Sequence, residues 1–235
     1  MSPLLEARNL SAGYGDAAAV RDLDFALEPG EIVALVGPNG AGKTTTLRAL
    51  AGVLSPQAGE VRLNGRPTRA PVHRRVRDGM AYLPEERSVF GRLTTTENLR
   101  IGRGDMAAAL RLFPELEAHQ RRAVGLLSGG QQQMLALGRA LACEPKVLLA
   151  DELSIGLAPM IVSRLLAAIR GAADKGLGVL LVEQHVHQAF AIADRVIVIQ
   201  RGRFVLEGPP ADMLERIHEL KSAYFSELPE VGDLA

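Results

Sequence analysis

Residues 37–44 read GPNGAGKT and follow the apolar stretch EIVALV. This matches G-x-x-x-x-G-K-[ST] at Gly37, Gly42, Lys43 and Thr44, and no other feature of the chain constrains its fold as tightly. Consecutive backbone N–H groups must turn inward around phosphate oxygens, which glycines allow without steric cost. A helix must open at the loop so that its N-terminal dipole faces the anion. The pattern therefore requires a buried strand before it and a helix after it, running to about Leu54. Lys43 reaches the β- and γ-phosphates, and the Thr44 hydroxyl can ligate Mg²⁺. Gly37, Pro38, Asn39, Gly40, Ala41, Gly42, Lys43, Thr44 and Thr45 are thus candidate nucleotide-binding residues. An ordinary glycine-rich strand-to-helix turn would not need every matched position in this context.

A second signal is KVLLADE, which puts Asp151 and Glu152 directly after an apolar run. A carboxylate at the C-terminal end of a buried parallel strand faces the crevice where ligands bind. Asp151 can hold Mg²⁺, usually through water, and Glu152 can polarise an attacking water as a general base. Solvated loop acids are the bland alternative, and the phosphate loop upstream weighs against it.

LLSGGQQQM at 126–134 is a third. Ser128 and Gln131 form a capping box, a device open to any helix. Gly129 and Gly130 are not explained by it, because glycine in a helical turn costs about 1 kcal/mol against alanine. Bare backbone there suits a phosphate, so Ser128, Gly129, Gly130 and Gln131 read as a second γ-phosphate clamp.

The rest of the chain alternates in a way that fixes the fold class. Residues 4–36 read as strands, and GEVRLNGRP as a further strand with an Asn-Gly turn. A strand follows at 79–85. Residues 94–142 read as helices without a strand, an inserted helical subdomain within about 86–145. Then come strand KVLLAD, helix 159–173, strand GVLLVE, helix 186–193, strand RVIVIQ and the hairpin partner RGRFVLEG. A helix over about 210–226 and a loose tail, 227–235, complete a single domain of 235 residues. The fold class is α/β, a P-loop NTPase core with an N-terminal antiparallel β subdomain and the helical insert.

Charge and cysteine usage narrow the partners. Lys+Arg and Asp+Glu number 27 each, so the chain lacks the basic excess of a nucleic-acid binder. The basic cluster His73–Arg77 reads as a solvated helix face. The single cysteine, Cys143, excludes an intrachain disulfide and fits a reducing compartment. The start MSPLLEARNL is not a signal peptide, and apolar runs such as VLLA fall short of the ~20 residues of a spanning helix. A tie to a membrane must go through a partner. His73, His119, His187 and His218 read as surface residues.

GPNGAGKTT, LSGGQQQ and LLADE, in this order, resemble the nucleotide-binding subunit of ATP-binding cassette (ABC) transporters, over nearly the whole chain. The resemblance implies ATP and Mg²⁺ as cofactors. It also implies a head-to-tail pair of ATPase chains, identical or sister subunits, in which the 128–131 turn of one faces the phosphate loop of the other. Residue by residue, it implies that Tyr14 stacks on adenine. Glu85 stands where most members carry a glutamine that senses the γ-phosphate and approaches the metal. Leu153 replaces a usual proline, and Ala158 a usual aspartate. Gln184 fills the histidine-switch slot by register, with His185, one residue late, as the alternative. LPE, LSGGQQQM, GLAP and VEQ together are similar to the smaller ATPase subunit of branched-chain amino acid importers. That implies permease subunits, indirectly a solute-binding protein, and a place on the cytoplasmic side of the cell membrane. Urea or amide importers share much of the pattern, and a non-transport ABC-type regulatory ATPase is a further alternative.

Overall fold

Two sheets and a helical segment meet around the phosphate loop. The computed structural model describes residues 2–183, 186–213 and 216. The N-terminal strands β1 (Leu5–Tyr14) and β2 (Ala17–Leu27) pair antiparallel, and β1 also pairs with β4 (Ala58–Leu63). β5 (Arg66–Thr68) folds back on β4 through Asn64-Gly65, both at positive φ, as the Asn-Gly signal requires. The second sheet holds β3 (Ile32–Val36), β6 (Met80–Leu83), β7 (Val147–Asp151), β8 (Gly178–Val182), β9 (Arg195–Gln200) and β10 (Arg203–Gly208). Its order is β10-β9-β3-β8-β7-β6, parallel except for the β9–β10 hairpin.

The central strands are buried along their full length, as parallel strands covered on both faces must be. Alternate residues serve different cores. Val33, Leu35, Leu149, Leu180 and Val182 pack toward α1 (Lys43–Ala51) and the antiparallel sheet. Ile32, Leu148, Ala150, Val179 and Leu181 pack toward α5 (Gly129–Leu141) and α6 (Pro159–Ala173). Between β6 and β7 the described chain is helical: α3 (Thr95–Ile101), α4 (Met106–Leu112), short 3₁₀ turns, then α5. A capping box between Thr94 and Glu97 starts α3.

Several expected boundaries move. α1 stops at Ala51 rather than Leu54, because Gly52 takes the left-handed conformation (φ 76°) and its N–H turns back to the Ala49 carbonyl. The helix expected at 186–193 is regular only over α7 (Val186–Phe190). Strands expected to reach Glu85 and Glu183 end at Leu83 and Val182. Residues 210–213 are helical, while His218 and the tail 227–235 lie outside the described residues. Among the described residues no helix is long and apolar enough to cross a membrane.

The basic cluster at 73–77 is the clearest correction. It is helical, within α2 (Val72–Arg77), but Arg75 is 1% exposed. Its Nε donates to the Ala70 carbonyl at 2.8 Å, and its Nη1 to the Leu50 and Ala49 carbonyls at 2.5 and 3.3 Å. Arg75 is therefore a plug for the open carbonyl end of α1, a favourable place for a cation. Burial lowers its pKa to about 10. Gly52 is needed here too, since a Cβ would lie 2.6 Å from the Arg75 Nε. Removing the guanidinium leaves buried carbonyls without a donor. Arg75→Ala should lower unfolding stability by about 2–4 kcal/mol in chemical denaturation. Arg75→Lys should recover only part, because one ammonium cannot span the carbonyls that the planar fork reaches.

Candidate functional site

The site begins where β3 runs out. Gly42 caps α1 at φ 112° without a side-chain cap, so no side chain claims the first-turn N–H groups. A Cβ on Gly42 would sit 2.5 Å from the Val20 Cγ1, and one on Gly37 would sit 2.2 Å from the Ile199 carbonyl oxygen. The loop is thus wedged between β2 and β9 and tolerates no side chain at either position. Its turn is held by Ala41 N–H donating to the Pro38 carbonyl (3.1 Å). Lys43 is 5% exposed, and its Nζ donates to the Gly37 and Pro38 carbonyls at 2.8 and 3.2 Å. Burial lowers its pKa, against the pull of Glu152 and Asp151.

Sheet register brings the acids to the same edge. Leu35 pairs with Val182, and Val182 pairs with Asp151, so β3, β8 and β7 end level. Asp151 is 1% exposed, and both its carboxylate oxygens are buried without a hydrogen-bond partner. Burial raises its pKa to about 6; the nearby Thr44 hydroxyl opposes this, and Glu152 and Glu85 add to it. A buried carboxylate with no well-formed hydrogen bond, beside a threonine hydroxyl that can share a ligand role, fits a hard cation such as Mg²⁺. Among the described residues no three His, Cys, Asp or Glu side chains converge. Such a cation would therefore depend on phosphate oxygens for further ligands. Glu152 follows at φ 49°, a strained conformation for a non-glycine residue, with its N–H donating to the Val182 carbonyl (2.8 Å).

Two hollows meet at Glu152. One, of about 210 Å³, joins it to Asn39, Gly40, Gly42, Lys43, Thr44 and Thr45. The other, of about 410 Å³, joins it to Glu85, Glu86, Arg87, Gln133 and Leu157. Tyr14 ends β1 half-exposed (54%), its hydroxyl accepting from Arg48 of α1 (3.1 Å). Gln184 and His185 lie outside the described residues.

The 128–131 turn stands apart. Ser128 Oγ accepts from Gln131 N–H (3.2 Å), and Gln131 Oε1 from Ser128 N–H (3.0 Å). Gln131 Nε2 also lies 2.9 Å from the His119 Nε2. None of Ser128, Gly129, Gly130 or Gln131 lines the hollow around Lys43. The glycines have packing reasons that phosphate contact alone would not supply. A Cβ on Gly130 would be 2.9 Å from Ile161 of α6, and one on Gly129 would be 2.5 Å from the Arg87 guanidinium.

Sequence reasoning passes over Glu183 and Arg87. Glu183, 1% exposed, accepts from the N–H and hydroxyl of Ser154 at 3.1 and 2.5 Å. It ends an apolar run, the same sign that marks Asp151. Arg87 reaches the Gln132 side chain at 3.3 Å and covers Gly129; nothing in the local pattern marks it.

Residues 20–154 match the family described as ABC transporter. The chain is 41% identical to the high-affinity branched-chain amino acid transport ATP-binding protein BraG of Pseudomonas aeruginosa, over 90% of this chain and 95% of that one. It is 35% identical to the lipopolysaccharide export system ATP-binding protein LptB of Escherichia coli strain K12, over 95% and 97%. Among solved structures, an ATP-binding subunit of an ABC transporter superposes with a TM-score of 0.79 at 30% identity, covering 94% of this chain and 95% of that one.

The buried carboxyls make stability depend on pH. Asp151 and Glu183 rise by burial from the ordinary 3.8 and 4.5 to about 6 and about 7. A raised carboxyl pKa means that the folded chain holds protons which the unfolded chain releases. Their contribution is full below the unfolded values and is lost as pH climbs through the folded ones. Free of nucleotide and divalent cation, the chain should melt at a higher temperature at pH 5 than at pH 8. Asp151→Asn should flatten that difference and stabilise the chain at pH 8 by on the order of 1–2 kcal/mol. An unchanged pH profile in that variant would contradict the assignment.

Proposed function

This chain belongs to the ABC transporter family, and on that premise we propose that it powers an importer of branched-chain amino acids. As an ABC ATP-binding subunit it binds and hydrolyses ATP. The observation that carries the mechanistic reading is the hollow joining Glu152 to the phosphate loop, with no residue of 128–131 on its walls. One chain thus offers the loop, the candidate base and Asp151. On this reading the serine-glycine-glycine turn serves a nucleotide held on a second ATPase chain facing it head to tail.

Hydrolysis is attack of water on the γ-phosphate, in line with the departing ADP oxygen, and depends on positioning and charge neutralisation. Lys43 and the loop N–H groups hold the phosphates. Thr44 and Asp151 would hold Mg²⁺, which supplies charge neutralisation at the phosphate oxygens. Glu85 is a more distant candidate ligand, close enough to raise the Asp151 pKa. Glu152 orients the water and takes its proton. Ser128, Gly129, Gly130 and Gln131 of the facing chain complete the cradle. Tyr14 presents its exposed ring to adenine, and Gln184, or else His185, senses the γ-phosphate.

On the same reading the chain sits at the cytoplasmic face of the membrane, held there by permease subunits that a solute-binding protein supplies. Phe90, before α3, and Ile101, at its end, are half-exposed apolar side chains that such subunits would cover on this reading. The identity to BraG, spread over 90% of the chain, favours branched-chain amino acids. The likeness to LptB favours a second reading, an export ATPase, and a urea or amide importer is a third. Uptake of labelled leucine by the reconstituted complex, against urea as control, separates them; no leucine uptake would end the first reading.

Lys43→Ala should abolish most ATP affinity in calorimetry. Glu152→Gln should keep that affinity, lower kcat by about 10²–10⁴-fold, and leave an ATP-dependent dimer on gel filtration. Wild-type turnover in Glu152→Gln would remove it from the role of base. Of Gln184→Ala and His185→Ala, the one that loses hydrolysis identifies the switch.

A further inference from the structure

The candidate base Glu152 holds a left-handed backbone that a glutamate does not adopt freely, and its surroundings must enforce it. On its N-terminal side the enforcement is plain. Asp151 is paired in β7, and the Glu152 N–H donates to Val182 at the end of β8 (2.8 Å). On its C-terminal side the chain leaves regular structure until α6 starts at Pro159. There Leu153 is buried in the core, and the polar tie to the sheet is Ser154, 4% exposed, whose N–H and hydroxyl both reach the Glu183 carboxylate at 3.1 and 2.5 Å. Glu183 directly follows β8, so the same strand end grips the acid segment on both sides of Glu152.

We propose that Glu183 is a positioning residue for hydrolysis: by clamping Ser154 against the end of β8 it holds Glu152 in the left-handed conformation that aims its carboxylate into the hollow of the phosphate loop. This rests on the reading of Glu152 as base. A bidentate carboxylate suits the task, because it accepts from two donors of one residue and so fixes both position and orientation. The phosphate loop hangs from β3 and α1, and among the described residues it makes no hydrogen bond to this clamp. Nucleotide binding and base positioning are therefore separable, and the test exploits the separation. A buried acid kept only to satisfy a core serine would not divide the two.

The experiment compares the full-length wild-type chain with Glu183→Ala, Glu183→Gln and Ser154→Ala. It measures ATP affinity by calorimetry, kcat and KM by phosphate release, and amide exchange over 153–156. Glu183→Ala should lower kcat by about 10–100-fold with KM and ATP affinity unchanged, and should speed exchange at Ser154. Glu183→Gln should restore kcat to within a few fold, since its amide oxygen still accepts the N–H and its NH₂ can donate to the hydroxyl. Ser154→Ala should fall in between. Adding it to Glu183→Ala should cost nothing more, as expected of two halves of one contact. Wild-type kcat in a folded Glu183→Ala overturns the clamp, as does an equal loss of ATP affinity. Should Glu183→Ala not fold, Ser154→Ala decides: unaltered kcat and exchange there overturn it. Absence of hydrolysis in the wild-type chain, alone and assembled, would instead count against the ATPase reading of Glu152 itself.

Discussion

The parallel register of β3, β8 and β7 is the constraint on which the site depends. Leu35, Val182 and Asp151 stand level, so the segments leaving these three strands emerge at one edge of the sheet. Those segments carry, in turn, the phosphate loop, Glu183 and Glu152. A slip of one residue in any of these strands would invert its faces, sending every side chain into the opposite core. Because both faces are buried, register is fixed by packing on two sides: Leu180 and Val182 belong to one core, Val179 and Leu181 to the other. The precision of the chemistry is inherited from the hydrophobic core.

That dependence explains which parts can be read from the sequence. The parallel strands are short apolar runs bounded by helices, so β3, β7, α6, β8 and β9 are legible almost to the residue, and the phosphate loop fixes where α1 starts though not where it ends. The Asn64-Gly65 hairpin and the Ser128–Gln131 capping box are legible because both are local rules. The illegible part is long-range. Arg75 looks like one more surface arginine in a basic cluster until α2 folds across the end of α1, where its partners Leu50 and Ala49 lie 25 and 26 residues upstream. Glu183 and Ser154 meet only because β7 and β8 are neighbours. The second glycine of the 128–131 turn illustrates a different limit. Its lack of a side chain points to phosphate, yet Ile161 packs against it within the same chain. One glycine can answer to both demands, and local pattern cannot divide them.

The site also runs against the stability of the fold around it. Asp151 and Glu183 are buried acids in an otherwise apolar edge, and burial raises both pKa values. Glu152 adds backbone strain of order 1–3 kcal/mol. Lys43 is buried with backbone carbonyls as its hydrogen-bond acceptors rather than a carboxylate. Each is unfavourable for folding, and all sit within a few residues of the strand ends. Such a concentration of charge and strain survives because the cores on both faces of the sheet over-determine the backbone there.

The two sides of Glu152 then acquire different meanings. Toward the phosphate loop it shares a hollow with Lys43, Thr44 and Thr45, all carried by one rigid strand-to-helix unit. Toward Glu85, Glu86 and Arg87 it shares another with residues that lead into the helical segment and reach the 128–131 turn. Glu152 is common to both, so the two hollows lie within a side chain's length of each other. Any coupling between ligands bound at the two hollows is reciprocal in binding free energy. For an ATPase of this family, a candidate base that lines both hollows stands where hydrolysis and movement of the helical segment can be linked.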